Sequence, residues 1–83
     1  MNKRECIEWT VNKLQKLDQE EKKCKTATEI HQIRTEAYRE SMAHYHSNGY
    51  VGHAAVDIWE RAVHQNAHHK GLALDPNPSP TYI

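Results

Sequence analysis

Asn48-Gly49-Tyr50-Val51-Gly52 stands between two long stretches that repeat apolar residues at helical spacing. Upstream, Ile30, Ile33, Ala37, Tyr38, Met42 and Tyr45 recur every three or four positions. Downstream, Ala55, Val56, Ile58, Trp59, Ala62 and Val63 do the same. Such spacing gathers each set on one side of an α-helix. Gly49 suits the left-handed position that closes a helix C-terminus, because it has no Cβ to clash. Two glycines around Tyr50-Val51 favour a tight reversal over a long loop. The five residues predict an antiparallel helical hairpin, with helices over about 27–47 and 53–70 and a stop at Gly71.

Working outward, Thr26 with Glu29 three residues later has the form of a capping box that opens the second helix, with Thr28 as the competing cap. Arg34 falls inside the apolar stripe, so it must snorkel or pair with Asp18 or Glu21 from the preceding segment. That segment, about 2–23, sets Ile7, Val11, Leu14 and Leu17 on one face with Thr10 between them. Trp9 lies roughly 120° from the centre of that face, as a second contact surface or an exposed ring. The charge run at 18–23 either continues the first helix or leaves it as a connector. Beyond the third helix, Pro76, Pro78 and Pro80 alternate within 72–83, which predicts an extended tail. Its apolar ends, Leu72/Leu74 and Tyr82/Ile83, suit contact with its own domain or a neighbour. The expected fold is all-α: a three-helix domain over 1–71 and a tail over 72–83.

Eighty-three residues make one small domain. A chain of this size buries only about 60% of its unfolded surface, so association is the natural supplement to a thin core. Phe is absent, which sharpens that expectation. Eleven basic side chains balance eleven acidic ones, which argues against a dedicated polyanion binder and an acidic nucleic-acid mimic. The N-terminus leads straight into an amphipathic pattern, and no apolar run approaches the roughly 20 residues of a membrane span. Two cysteines are too few for a disulfide scaffold, so a reducing, cytoplasmic setting is expected. Cys6 and Cys24 would stand roughly 27 Å apart on one continuous helix, unable to share a bond or a metal.

Six of the seven histidines fall between His44 and His69, in a half that has only Arg61 and Lys70 as strong bases. His64 and His68 have the i, i+4 spacing by which one helix face can hold a metal, with Asp57 two turns upstream. Arg61 sits amid that face and would repel a cation, and His64-Gln65-Asn66-Ala67-His68 lacks the Glu of a metalloprotease helix. His44, His46 and His53 flank the reversal, with His44 near the apolar edge and His46 pointing outward. Ser41 and Ser47 lie near His44 and His46 without a nucleophile elbow, and glycine is too scarce for a phosphate loop. No catalytic role and no cofactor are expected.

Three binding classes compete with a protein-interaction role. A helix-turn-helix reading presents Arg61 and Gln65 to DNA, but Asp57 and Glu60 would repel phosphate. A small-ligand reading stacks a base or ring on Trp9, Tyr38, Tyr45 and Tyr50 between subunits. A metal reading rests on His64 and His68. The leading expectation is a non-catalytic helical module that self-associates and regulates or inhibits a protein partner, a genre that suits a viral or mobile-element accessory protein. The expected surface comprises Trp9, Tyr50, Asp57, Arg61, His64, His68 and Tyr82, with no membrane or nucleic-acid partner.

Overall fold

Asn2 opens the first helix with a reciprocal cap. Its side chain accepts from the Glu5 backbone N–H at 2.8 Å, and the Glu5 carboxylate accepts from the Asn2 N–H at 3.1 Å. Two of the donors that a helix start leaves open are thereby satisfied. Helix α1 runs Lys3–Glu21 and ends inside the charge run, at Lys22. Thr26 caps α2, Ala27–Ser47, by accepting from the Glu29 N–H at 3.1 Å. Helix α3 spans His53–His69. This computed structural model describes residues 1–69; Lys70, the stop at Gly71 and the tail with Tyr82 lie outside the described residues. The fold is all-α, with three helices and no strand among the described residues.

The reversal closes as its glycines require. Gly49 has φ +88° and Gly52 φ +59°, conformations that disfavour any residue with a Cβ. The Gly49 N–H donates to the His46 carbonyl at 3.1 Å, and the Tyr50 N–H reaches back to the Tyr45 carbonyl at 2.9 Å. This is a Schellman closure, in which the residue after the glycine packs against the last turn of the helix it leaves. Tyr50 does so, lying against the cluster that contains Tyr45.

Contacts between helices set their directions. Glu21 pairs with Arg34 at 2.5 Å, Lys13 with Glu40, and Thr10 with Tyr45, so α1 and α2 run antiparallel. The Glu21 pair keeps Arg34 on the bundle surface despite its place in the stripe. Lys3 pairs with Asp57 while Asp18 accepts from Asn66, so α1 and α3 run parallel. Tyr38 meets Trp59 edge-on across the α2–α3 hairpin. The result is an up-down-up bundle whose most extensive packing is α1 on α3 and whose least is α2 on α3.

The core has two joined halves. Val11, Leu14, Leu17, Ala37 and Ala62 fill one; Cys6, Tyr45, Ala55 and Ile58 fill the other, with Ile7 and Trp59 against both. Alanines at 37, 55 and 62 let the helices approach closely. Three expected core residues lie at the edge instead: Tyr38 is 40% exposed, Val56 40% and Val63 42%. The sparse α2–α3 contact explains them, since nothing on that flank covers their outer sides. Ser41 and Asn66, conversely, are buried polar residues.

Thr10 and Tyr45 are completely buried, with their hydroxyls 2.5 Å apart, and Thr10 Oγ1 also donates to the Cys6 carbonyl at 2.9 Å. With the Thr10 proton given to Cys6, the Tyr45 O–H is the donor of the pair, and removing either hydroxyl breaks a hydrogen bond in a dry core. Thr10→Val and Tyr45→Phe should each lower unfolding stability by about 1–2 kcal/mol. In urea denaturation the double variant should lose about 1 kcal/mol less than the sum, the mark of a direct pair.

Candidate functional site

The groove between α1 and the outer side of α3 holds most of the charged and titratable groups of the C-terminal helix. Ile7 supplies its floor, and Asp57, Glu60, Arg61, His64, Gln65 and His68 line it, enclosing about 480 Å³. Positions 57, 61, 64 and 68 follow one another at helical spacing and so share this side of α3. Asp57 is the electrostatic centre. It takes the Lys3 ammonium from α1 and the Arg61 guanidinium from one turn later, the latter at 3.0 Å. The Lys3 hydrogen bond, seconded by Arg61, holds the Asp57 carboxyl below its ordinary value against the opposing effect of desolvation.

That pairing commits Asp57 to two cations and away from a metal shell with His64 and His68. Among the described residues, no group of three or more His, Cys, Asp or Glu side chains is placed to hold a metal ion. Arg61 is turned toward Asp57, so the groove presents a polar, titratable wall in place of a cationic stripe. Both histidines are exposed.

The other expected surface residues lie elsewhere. Trp9 is half-buried on the α1–α2 flank, stacked on His44 with ring centroids 3.8 Å apart and planes 10° from parallel. Lys13 Nζ lies 5.4 Å from the Trp9 ring, a cation over its open face. Trp9 is therefore a contact within the bundle, which accounts for its position off the main stripe. Tyr50 is half-buried beneath the reversal, and Tyr82 falls outside the described residues. Asp57, Arg61, His64 and His68 come together; Trp9 and Tyr50 do not join them.

A second cavity, about 460 Å³, opens where α3 nears its C-terminal end. Leu14, Leu17, Trp59, Val63 and Ala67 give it an apolar lining, while Asp18, Glu21, Arg34 and Asn66 supply its polar edge. Asn66 is 5% exposed; its amide donates to Asp18 at 3.0 Å, and its carbonyl oxygen Oδ1 is buried without a partner among the described residues. Sequence reasoning passed over Asn66, although it stands four residues after Ala62 and eight after Ile58 on the buried stripe. The spacing carried the signal, and its polar type masked it.

Burial pushes Cys6 above the ordinary thiol value, and Cys24 is raised by desolvation and by Glu29, Glu21 and Glu20. Both cysteines are free. Burial also raises the Tyr45 phenol, with the Thr10 hydroxyl opposing. No helix among the described residues is long and apolar enough to cross a membrane. Comparison with protein-family models, with curated proteins and with solved structures finds no match.

His44 yields a pH dependence. Partial burial, and secondarily the N-terminal ammonium, hold its imidazole below the ordinary value of 6.5. The unfolded chain then binds the proton first as pH falls. Stability linked to His44 is whole above about pH 6.5 and is lost as pH drops through the lowered folded value. The fall in Tm from pH 7.5 to pH 5.5 should shrink in His44→Gln, read by thermal denaturation at both pH values.

Proposed function

We propose that the chain is a small non-catalytic helical interaction module, which self-associates through its α2–α3 flank and regulates or inhibits a protein partner. One observation carries this reading: Tyr38, Val56 and Val63 keep 40–42% of their surface exposed along the flank where α2 and α3 pack least. Val56 and Val63 are seven residues apart on one side of α3, and the Tyr38 ring meets Trp59 between them at 5.1 Å. Together they form an apolar strip along a hairpin, the shape that accepts a helix from another molecule.

A thin core supports the same reading, because a helix laid on this strip would add the burial that a chain of this size lacks. The charged α1–α3 groove, with Asp57, Arg61, His64 and His68, lies on the other side of α3, away from that contact. In light scattering over a concentration series, the wild-type chain should exceed monomer mass. Tyr38→Glu with Val56→Glu should return it to monomer while leaving the helical circular dichroism unchanged. A wild-type chain that stays monomeric up to roughly millimolar concentration, about the weakest association that counts as binding, would overturn the self-association reading.

A further inference from the structure

Tyr38 and Trp59 meet across the α2–α3 hairpin, so the residues that follow them, Arg39 and Glu60, stand at nearly the same height along it. Each helix makes the same passage: a buried residue (Ala37, Ile58), then the ring, then the charge. At about 100° per residue, those steps lead from the core along the flank to its outer border. Arg39 therefore borders the apolar strip on α2. Glu60 borders it on α3, one turn from both Val56 and Val63, on the crest that separates the strip from the α1–α3 groove. Both residues are exposed, and among the described residues neither side chain makes an ion pair or a hydrogen bond. The strip thus runs between a basic border and an acidic one.

A second copy of the chain matches that arrangement in one orientation. Two identical faces meet about a two-fold axis lying in the contact plane, and here the axis runs either across the helices or along them. An axis across them at this height lays α2 on α2, and Arg39 meets Arg39 while Glu60 meets Glu60. An axis along them lays α2 of each copy on α3 of the other. Arg39 then faces Glu60 of the second copy, twice in one dimer. Tyr38 comes to rest between Val56 and Val63 of the facing helix, because those valines stand three residues before and four after Trp59. Opposite charges across the contact favour this orientation, and like charges oppose the other.

We propose that a second copy of this chain closes the α2–α3 flank about a two-fold axis parallel to the helices, with Arg39 of each copy paired to Glu60 of the other. The proposal rests on the self-association reading and fixes its orientation and its charged contacts. Each helix packs antiparallel on its new neighbour, as α2 and α3 do within the hairpin. The apolar strip supplies the affinity, and the two ion pairs at its border select the alignment.

Charge reversal in the full chain tests it, read by sedimentation equilibrium at low salt. Arg39→Glu and Glu60→Arg should each weaken dimerisation about tenfold, since each turns two attractive contacts per dimer into repulsive ones. The variant carrying both reversals should dimerise like the wild type. An equal mixture of the two single variants should form heterodimers as tight as the wild-type dimer, a recovery that an ion pair within one copy would not give. Helical circular dichroism should be the same throughout. With an axis across the helices, each single reversal would replace one like-charge contact by another and change nothing. A wild-type dimer that neither single reversal weakens would therefore overturn the proposal while leaving self-association intact. So would weakening that neither the double variant nor the mixture restores. A wild-type chain that stays monomeric would overturn both.

Discussion

Two hydroxyls sealed from water govern how the helices meet. Thr10 of α1 and Tyr45 of α2 are both fully buried, so neither can turn to solvent for a partner. Only one register of α1 against α2 brings the two together, and sliding either helix by a residue would leave the Tyr45 hydroxyl without Thr10 while Thr10 kept only its bond to the Cys6 carbonyl. The remaining cross-helix pairs fall in the same register. Trp9 stacks on His44, Lys13 reaches Glu40 and Glu21 reaches Arg34, each at nearly the same offset along the antiparallel pair. Surface pairs such as these contribute little individually. Their agreement with the buried bond makes the alignment specific.

With that pair aligned, α3 must lie where Ala55, Ile58 and Ala62 can enter the remaining space. It settles chiefly against α1, held at one end by Lys3 on Asp57 and near the other by Asn66 on Asp18. The preference for α1 has a consequence on the opposite side. The α2–α3 flank is left thinly packed, which is why Val56 and Val63 stand half uncovered although they continue the apolar pattern of α3. One packing choice thus produces both the charged groove beside α1 and the apolar strip beside α2. A thin core and an uncovered strip are the same fact seen from two sides.

Much of the fold was legible because its signals are local. Thr26 with Glu29 marks the start of α2, Gly49 marks its end, and periodic apolar residues trace all three helices. The pairing of Arg34 with Glu21 was one of two partners that its misplaced charge suggested. The site was less legible. Asp57, Arg61, His64 and His68 share a side of one helix, so spacing alone gathers them. Trp9 and Tyr50 looked like surface because neither lies on a main stripe, yet each is taken up inside the bundle by His44 and by the Tyr45 cluster. Asn66 and Ser41 are polar by type, and both are buried.

By itself, then, the sequence determined the elements: where each helix begins, where the chain must reverse, and which residues share a face. Those properties depend on residues within a turn or two of one another, where hydrogen-bond caps, backbone sterics and the 3.6-residue period act directly. Only the tertiary structure decided which flanks are covered, which polar groups are sealed in, and that Asp57 is claimed by Lys3 as well as Arg61. These depend on how far apart three helices settle. That distance follows from the fit of small residues such as Ala37, Ala55 and Ala62 and from the Thr10–Tyr45 bond, neither of which a single helix's periodicity contains.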